Sequence, residues 1–415
     1  MKNVLVIGID AAALARSADD AGYNVFSVDY FGDQDLRQVT KENLSILTQR
    51  PGKSCGFLEH DFSPKKLVNL TNRLLTRRQI DAALLASGLD DSPDALERLN
   101  DIVPIIGNHP ETISRVRRTP EFLNELRHLG IRSPKTVSAE SLEEATLAAE
   151  NIGYPVVAKP SASLGGGGVR KANSSSELEC VFPQVTAFSS KTLIQQYIPG
   201  TDASVSFLAS KKATVLLSLN EQLLGFPELG QREPFGYCGN IVPAPANVAL
   251  TEACRFIVRK IAAHFDLRGS NGVDIVIAEG SVPYVVEVNP RFQGSLECVQ
   301  NVRAVNLARL HIEACTMDTL PHLGPSPPTG CWARLILYAR QRSIVPDLNA
   351  YSETRDRPIP GVVVEKGEPF CSIIAQDRTR DAVLRHSKRL AEEIYMQAGS
   401  TMFSETQERL PSSAS

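Results

Sequence analysis

Residues 272–291 read GVDIVIAEGSVPYVVEVNPR, the part of the chain that is most informative about its fold. The runs 273–278 and 284–288 are rich in β-branched residues, alternate in polarity and flank a short segment that contains Gly and Pro. A period of two and a short, turn-rich connection are typical of two paired strands. The stretch therefore predicts an antiparallel hairpin.

Three polar residues, Asp274, Glu287 and Asn289, interrupt the apolar pattern of this hairpin. Glu287 and Asn289 are two residues apart and point to the same face of their strand, where the pairing would place Asp274 beside them. Mg²⁺ prefers such hard oxygen ligands, so the three side chains form a candidate metal site. Pro290 ends the strand, and the guanidinium of Arg291 could then bind a phosphate or carboxylate beside the metal. An ordinary solvated hairpin face is the alternative explanation of the acids alone.

The sequence EVNPR at residues 287–291 resembles the metal-binding hairpin of the ATP-grasp superfamily, whose members include biotin carboxylase, carbamoyl-phosphate synthetase and D-alanine–D-alanine ligase. The resemblance implies an α/β and α+β fold with an amino-terminal parallel-sheet lobe, a small lid lobe and a carboxy-terminal antiparallel-sheet lobe. It also implies ATP as the nucleotide and Mg²⁺, or Mn²⁺ in its place, as the metal. The length of 415 residues agrees with two or three lobes, since one ordinary core does not reach that size.

The composition is that of a globular protein, with 42% apolar and 22% charged residues and a net charge of −3. This near-neutral balance provides no electrostatic footprint for nucleic acid, and no apolar run approaches the ~20 residues needed to cross a bilayer. The start MKNVLVIGID contains an acid and is followed by no cleavage-site pattern, which predicts a buried first strand and not a signal peptide. Eight cysteines without a CxxC pair indicate neither a zinc site nor a disulfide framework, so we expect a cytoplasmic protein.

The amino-terminal segment alternates strand and helix patterns. Apolar runs at 4–9, 24–29 and 81–86 predict strands, with a helix at 64–76 before the third, and this rhythm predicts a parallel sheet with right-handed crossovers. Gly8 lacks the GxGxxG spacing of dinucleotide-binding proteins, so we interpret it as an ordinary turn. The resemblance implies that this lobe forms one wall of the acceptor-substrate site.

An arginine-rich stretch at 110–129 predicts one helix that links the first lobe to the rest of the chain. Charges such as Arg115, Arg117 and Arg118 usually form a solvated face. In ATP-grasp proteins a Lys of this helix commonly reaches the nucleotide phosphates, and that position falls on Thr119 here. Arg117 or Arg118 could replace it, and we select Arg118 as the expected phosphate cation.

Residues 154–160 predict a short apolar strand that delivers Lys159 directly before the glycine-rich sequence SASLGGGGV. A Lys in such a strand must find an anion or reach water, because an unpaired buried ammonium is costly. Consecutive glycines let backbone N–H groups approach phosphate oxygens, although a flexible loop is the simpler explanation and the sequence is no Walker A motif. The pair resembles the Lys strand and glycine-rich lid of ATP-grasp enzymes, which implies that Lys159 binds the α- and β-phosphates under the lid. The lid glycines are Gly165, Gly166, Gly167 and Gly168.

Residues 192–200 predict a strand that runs into a turn, with the sequence QQYIPG at its end. An adenine ring fits where a strand end offers backbone N–H and C=O groups between apolar side chains. The family pattern has an acid at the position of Gln196, whose side-chain carbonyl is still an acceptor, and a longer acid at the position of Asp202. The expected adenine and ribose contacts are Gln195, Gln196, Tyr197, Ile198 and Asp202.

We divide the chain into an amino-terminal lobe, a helical linker, a lid subdomain, a metal-binding subdomain, a carboxy-terminal α+β extension and a flexible tail. Their predicted bounds are 1–108, 109–133, 134–198, 199–320, 321–398 and 399–415. The sequence PIPGVVVEKGEPFCSIIAQD in the extension resembles the closing segment of biotin-carboxylase-like members. Loop 225–237, rich in Gly, Pro and charge, is a candidate for acceptor recognition because loops carry specificity on a rigid scaffold.

The resemblance implies a shared first step, in which a carboxylate attacks the γ-phosphate of Mg·ATP to give an acylphosphate, with Lys159 and Arg291 as catalytic residues. An amine then displaces phosphate, so the leading hypothesis is an ADP-forming carboxylate–amine ligase with an amino acid or peptide-like acceptor. Bicarbonate activation, as in biotin carboxylase, and a non-catalytic nucleotide-binding regulatory protein are the alternatives. We expect small-molecule carboxylate and amine partners and allow for a homodimer.

Overall fold

A four-stranded parallel sheet forms the amino-terminal lobe in the computed structural model, which describes residues 1–162, 165–323 and 330–400. The predicted parallel sheet is confirmed, with the strand order β3-β2-β1-β4. Its elements are β1 (Asn3–Ile7), α1 (Ala12–Asp20), β2 (Asn24–Asp29), α2 (Gln34–Val39), β3 (Glu42–Ser45), α3 (Leu58–Asp61), α4 (Pro64–Leu75), β4 (Ala82–Leu85) and α5 (Pro93–Ile102). Helices cover both faces, with α1 on one and α4 and α5 on the other, which is why β1 is apolar from Val4 to Ile7.

The linker that we predicted as one helix over 110–129 is two helices. α6 (Pro110–Arg117) and α7 (Thr119–His128) are separated at Arg118, whose backbone (φ −75°, ψ 79°) is not helical. Pro120 explains the break, because in a continuous helix its missing N–H would leave the Val116 carbonyl without its partner and its ring would clash with that carbonyl. The break decides which arginine faces the rest of the molecule.

A four-stranded antiparallel sheet forms the lid lobe, in the order β5-β8-β6-β7. Its elements are β5 (Thr136–Ala139), α8 (Leu142–Ile152), β6 (Val156–Pro160), β7 (Arg170–Ala172), α9 (Ser175–Thr186) and β8 (Thr192–Gln196). Both helices begin with a serine cap, since Ser141 and Ser174 each accept from a glutamate N–H three residues later at 3.2 Å. After β8 the chain enters the large sheet at Gly200, where a Cβ would lie only 2.4 Å from the carbonyl oxygen of Ile277.

An eight-stranded sheet forms the carboxy-terminal lobe, in the order β13-β12-β9-β10-β11-β14-β18-β16. The elements of this part are β9 (Thr201–Ala209), β10 (Thr214–Leu224), β11 (Tyr237–Val242), α10 (Val248–Phe265), β12 (Gly269–Ala278), β13 (Val282–Asn289), α11 (Leu296–Arg303), α12 (Leu307–Thr316), β14 (Cys331–Tyr338), β15 (Ser343–Ile344), β16 (Thr354–Arg355), β17 (Val363–Val364), β18 (Pro369–Asp377) and α13 (Arg380–Ser400). All pairs in the large sheet are antiparallel, as expected for this lobe.

Of the strands beyond residue 320, β14, β16 and β18 belong to this same sheet, whereas β15 and β17 pair only with each other in a small separate sheet. β14 pairs with β11, so that Ile241 lies opposite Ala333. The pairing has a physical reason, because without β14 the edge of β11 would present a row of unpaired backbone N–H and C=O groups. The division at residue 320 stays a prediction, but backbone hydrogen bonds cross it.

The chain ends differently from the prediction in one respect. The flexible tail predicted over 399–415 begins inside α13, which extends to Ser400, and its remaining residues lie outside the described part. Within residues 1–162, 165–323 and 330–400, no helix combines the length and apolarity needed to span a membrane.

His311 on α12 joins the amino-terminal lobe to the large sheet. Its Nδ1 accepts from the Ser270 N–H at 2.8 Å, so its Nε2 carries the hydrogen that is donated to the Ile106 carbonyl at 2.8 Å. Burial lowers the pKa of this imidazole to about 4, because the charged form would lose its hydration and could no longer accept from Ser270. The neutral ring is therefore the form that stabilises the fold.

We expect stability to fall as the pH is lowered from about 6.5 toward about 4, and more in the wild type than in a His311→Asn variant. In this window the unfolded chain binds a proton at residue 311 and the folded chain does not, so the free energy of unfolding falls by ~1.4 kcal/mol per pH unit. Urea unfolding near neutrality and near pH 5 measures the difference, with the exposed His128→Asn as the control. Equal pH dependence in the wild type and His311→Asn would contradict this role.

Candidate active site

The predicted hairpin is formed by β12 and β13, with Asp274 directly opposite Glu287 in the antiparallel register. Asn289 donates through Nδ2 to Asp274 Oδ2 at 3.0 Å, so the three predicted metal ligands lie together. Gln222 on β10 donates to the other oxygen, Asp274 Oδ1, at 3.0 Å. The sequence argument missed Gln222, because no local pattern marks a polar side chain that comes from another strand of the sheet.

The two carboxylates of the hairpin differ in their acidity. Burial and the neighbouring charge of Glu287 raise the pKa of Asp274 to about 7. Burial also raises the pKa of Glu287, but Arg117 and Lys159 together lower it below its usual value. Two facing carboxylates repel each other unless cations compensate them.

The residues present fit Mg²⁺. The part of the chain that the structure describes holds no group of three His, Cys, Asp or Glu side chains arranged to bind a metal. Two carboxylates and one amide remain, and they suit Mg²⁺, which binds one or two carboxylates and takes further ligands from phosphates and water. The half-buried, mutually repelling pair also gives a physical reason for a cation at this place.

Arg117 at the end of α6 is the arginine that reaches this cluster. Its Nε and Nη2 donate to the two oxygens of Asp91 at 2.7 and 2.9 Å, and its Nη1 donates to Glu287 and, at 3.3 Å, to the Val288 carbonyl. We selected Arg118 from the sequence, but Arg118 lies exposed at the break between α6 and α7. One continuous helix leaves the choice between the two arginines open, and the break at Pro120 decides it.

Arg291 lies beside the metal cluster, where the sequence places it. Its Nε donates to Asp90 at 2.8 Å, its Nη2 to Asn289 Oδ1 at 3.1 Å and its Nη1 to the Phe292 carbonyl at 2.8 Å. The guanidinium is therefore held in one orientation. The sequence argument missed Asp90 and Asp91, although two acids in the loop that follows β4 lie at the carboxyl edge of a parallel sheet, where α/β folds bind ligands.

Lys159 on β6 faces the same cluster from the lid lobe. Burial and Arg117 lower the pKa of its ammonium, while Glu287 and Asp274 act on it as the opposing negative charges. It is half-buried and donates no hydrogen bond to any residue that the structure describes. An ammonium in this position favours an anion between the two lobes. The structure thus brings together two motifs that are more than a hundred residues apart in the sequence.

The glycine loop after β6 has conformations and contacts that other residues would not tolerate. Gly165, Gly166 and Gly168 have φ of +55°, +80° and +74°, the left-handed region that glycine adopts without strain. A Cβ on Gly166 would lie 2.1 Å from the carbonyl oxygen of Phe235, and one on Gly168 would lie 2.6 Å from an aromatic ring carbon. Gly167 lies between them with no positive φ.

The segment predicted to contact adenine and ribose begins with two glutamines, Gln195 and Gln196, whose side chains form hydrogen bonds within the lid lobe. Gln195 is buried and donates through Nε2 to Thr136 Oγ1 at 2.8 Å. Gln196 is half-buried and accepts through Oε1 from the Lys135 N–H at 3.4 Å. The side chain of Gln195 therefore stabilises the lid sheet, and an adenine contact from this residue would have to come from its backbone.

The other residues predicted to contact adenine and ribose, Tyr197, Ile198 and Asp202, lie where the chain passes from β8 of the lid lobe into β9 of the large sheet. The N–H of Tyr197 donates to the Pro155 carbonyl at 3.2 Å, so the expected backbone donor for an adenine falls to Ile198. Lys171 lies over the Tyr197 ring, with its Nζ 4.0 Å from the ring centroid. Asp202 lies on β9, and burial raises the pKa of its carboxyl.

An ion cluster missed in the sequence lies at the edge of the amino-terminal sheet. Arg334 on β14 donates to Asp10 at 2.6 Å, to Asp356 and to the Gly294 carbonyl at 3.1 Å. Burial and the charge of Asp356 raise the pKa of Asp10. The half-buried Tyr237 has Arg334 and Asp274 among its electrostatic neighbours, and partial burial raises the pKa of its hydroxyl. Asp10 and Arg334 are 324 positions apart, so no local pattern could join them.

Comparisons with known proteins relate the chain to a domain family and to solved folds. Residues 120–295 match the family model of the ATP-grasp domain. An uncharacterised protein of Methanocaldococcus jannaschii is 24% identical over 389 residues, which cover 91% of this chain and 89% of the relative.

Two solved structures show the same fold over nearly the whole chain. The biotin carboxylase domain of the Hydrogenobacter thermophilus 2-oxoglutarate carboxylase, determined with magnesium ADP and bicarbonate, has a TM-score of 0.74 at 16% identity and covers 94% of this chain and 89% of that structure. An L-amino acid ligase from Bacillus licheniformis has a TM-score of 0.70 at 14% identity, with 95% and 98% covered.

Proposed function

Because the chain belongs to the ATP-grasp superfamily through its residues 120–295, we propose that it is an ATP-dependent carboxylate–amine ligase. It also has the fold of that superfamily, as the sequence predicted. A carboxylate is activated as an acylphosphate with release of ADP, and an amine then displaces phosphate to give an amide. The observation that carries this proposal is the meeting of Asp274, Glu287 and Asn289 with Lys159 from the opposite lobe.

Each group of the site has a role in this chemistry. Asp274, Glu287 and Asn289 would hold Mg²⁺, which neutralises charge on the transferring phosphoryl group when it is bound. Lys159 binds the α- and β-phosphates from the lid side. Arg291, oriented by its ion pair with Asp90, binds the carboxylate or the phosphoryl oxygens. Such preorganised charges stabilise charge that develops during the reaction without reorganising.

The acceptor site lies, in this proposal, between the metal cluster and the ion cluster of Arg334, Asp10 and Asp356. Buried polar groups with perturbed pKa values converge there from the amino-terminal lobe and the large sheet, an arrangement that favours a binding site over a purely structural contact. Loop 225–237 ends at Tyr237 on the same side and supplies a further wall. An amino acid or peptide-like amine fits a site of this polarity.

The test is release of ADP from Mg·ATP by the purified protein, first alone and then with pools of carboxylic acids and of amines. Release that requires one acid and one amine, with the amide found by mass spectrometry, is the expected result, and Glu287→Ala serves as the blank. If nucleotide binds and no combination of acid and amine gives release, the protein is not the proposed ligase, and the non-catalytic alternative gains support.

A second candidate, bicarbonate activation, is favoured by one observation. The biotin carboxylase domain has the higher TM-score of the two solved structures, 0.74 against 0.70 for the amino acid ligase. The same assay with bicarbonate as the only added acid, without an amine, separates the two functions. Release that depends on bicarbonate alone would move the carboxylase ahead of the ligase.

We expect Asp91→Asn to raise the KM for Mg·ATP about tenfold, because Arg117 loses a charge-assisted, two-point hydrogen bond worth ~1.5 kcal/mol or more. The melting temperature should change little, since the Asp91 side chain is 28% exposed. Steady-state ADP release at varied Mg·ATP measures the effect. Asp94→Asn, the same charge change on the exposed first turn of α5, is the matched control. An unchanged KM in Asp91→Asn would show that Arg117 does not depend on this pair.

A further inference from the structure

Loop 225–237 contacts the glycine loop directly. The N–H of Tyr237 donates to the Gly165 carbonyl at 2.8 Å. Next to this hydrogen bond, Gly166 approaches the Phe235 backbone so closely that a Cβ would lie 2.1 Å from the Phe235 carbonyl oxygen. The loop that we propose for acceptor recognition and the loop that we propose over the phosphates therefore share a backbone contact.

Glu233 adds the charged part of this contact. Its Oε2 accepts from the Gly168 N–H at 3.0 Å and from Arg170 Nη1, and its Oε1 accepts from Arg170 Nη2 at 3.2 Å. The carboxylate thus binds both arms of the guanidinium and one backbone amide of the glycine loop. Partial burial raises the pKa of Glu233, but the hydrogen bonds from Arg170 and Gly168 lower it below its usual value. Among the residues described, Glu233 is the side chain of loop 225–237 whose hydrogen bonds reach residues 165–170.

Both partners of this ion pair are held in place by their own surroundings. The N–H of Glu233 donates to Gln231 Oε1 at 3.0 Å, and its carbonyl accepts from the Gly236 N–H at 2.9 Å. On the other side, Arg170 Nε donates to Gln184 Oε1 at 3.0 Å. Because the backbone of Glu233 and the guanidinium of Arg170 are already held, only the Glu233 side chain must be ordered for the pair to form, which limits the conformational entropy that opposes the contact.

The carboxy-terminal end of loop 225–237, at Tyr237, also lies near the metal cluster. Tyr237, where the loop enters β11, has Asp274 and Arg291 among its electrostatic neighbours. Its carbonyl accepts from the Tyr338 hydroxyl at 2.7 Å, which fixes the loop end to the large sheet. The carboxy-terminal part of the loop therefore meets the glycine loop, through Glu233 and the Tyr237 N–H, and also lies near the metal cluster.

We propose that Glu233 is a positioning residue that makes the glycine loop and loop 225–237 one structural unit, so that order imposed on one by a nucleotide is imposed on the other. This inference rests on the proposed function, since it assigns the two loops to ATP and to the acceptor. Nucleotide binding then organises the acceptor wall before the acceptor binds, and the binding of each substrate favours the binding of the other, as linkage requires.

The alternative is an ordinary surface ion pair, which contributes little. Loop 225–237 contains such a pair for comparison: Glu228 binds Lys388 of α13 at 2.7 Å, with side chains that are 44% and 35% exposed. The pair of Glu233 with Arg170 is more buried, at 29% and 17% exposed, and also binds a backbone amide of the other loop. Glu228→Ala is therefore a matched control on the same loop.

Hydrogen exchange read by mass spectrometry tests the proposal on the full chain, with the non-hydrolysable analogue Mg·AMP-PNP as the probe. In the wild type and in Glu228→Ala, we expect the probe to slow exchange in peptides of both loops. In Glu233→Ala, slowing should persist at 165–172 and should be reduced at least about fivefold at 225–237. Arg170→Met removes the same pair from the other loop and should give the same pattern, which also covers a failure of one variant to fold.

Equal slowing of 225–237 in Glu233→Ala and in the wild type would overturn the proposal. If the probe fails to bind the wild type, the proposed function is wrong. Hydrogen exchange of the nucleotide-free proteins then tests whether Glu233 joins the two loops. In that case Glu233→Ala should exchange faster than Glu228→Ala in both loops at once. Faster exchange confined to loop 225–237, or no difference, would mean that the two loops do not form one unit.

Discussion

Glu287→Ala is expected to lower the rate of Mg²⁺-dependent ADP release about a thousandfold, equivalent to ~4 kcal/mol of transition-state stabilisation. Glu287 supplies one of the two carboxylates of the hairpin, and the single carboxylate of Asp274 that remains holds Mg²⁺ more weakly than the pair does. The fold should survive the change, because Arg117 keeps its two-point contact with Asp91. Turnover measured against Mg²⁺ concentration reports the loss.

The matched control for this variant is Glu279→Ala, which removes an exposed carboxylate from the turn of the same hairpin. It should keep the wild-type rate and the wild-type dependence on Mg²⁺. If Glu287→Ala releases ADP as fast as Glu279→Ala does, the metal site is not at this hairpin, and the roles given to Asp274 and Asn289 are lost with it.

Gly166→Val is expected to lower kcat/KM for ATP about a hundredfold, because two costs add at this position. The φ of +80° is strained for any residue with a Cβ, at roughly 1–3 kcal/mol, and the new Cβ would lie 2.1 Å from the Phe235 carbonyl oxygen. Relief of this clash must move the glycine loop away from loop 225–237, and with it the N–H groups that approach the phosphates. Initial rates at low ATP concentration measure the effect.

Gly165→Val separates the two costs, since Gly165 also has a positive φ of +55° but a Cβ there would have nothing within 4 Å. This control should lose only the part that strain explains and so remain clearly more active than Gly166→Val. Equal losses in the two variants would show that backbone strain alone is responsible, and that the close approach to Phe235 has no role in ATP use.

The sequence was sufficient for the parts of the site whose evidence is local. The hairpin follows from alternation and a turn, and Glu287 and Asn289 share a face because of their spacing of two. Lys159 and the glycines were placed correctly along the chain because they lie in one short segment, and the family pattern related that segment to the hairpin.

The parts that failed depend on distant contacts. The choice of Arg118 over Arg117 required the exact end of α6, which a proline three residues beyond Arg117 determines. Asp90 and Asp91 can be assigned to the site only when the folded structure shows that Asp90 binds Arg291 and Asp91 binds Arg117. Glu233 and Arg334 have partners 63 and 324 positions away, at distances where hydrophobic periodicity carries no information.

The pairing of β11 with β14 also affects how the protein is made. Synthesis proceeds at about 5–20 residues per second, so the hairpin with its metal ligands leaves the ribosome before Cys331–Tyr338, the strand that closes the edge of β11. Until then, β11, which follows loop 225–237, exposes unpaired backbone N–H and C=O groups along one edge. During synthesis, β11 is therefore open to pairing with another chain until β14 has been made. The carboxy-terminal strand β14 protects the strand before it from aggregation.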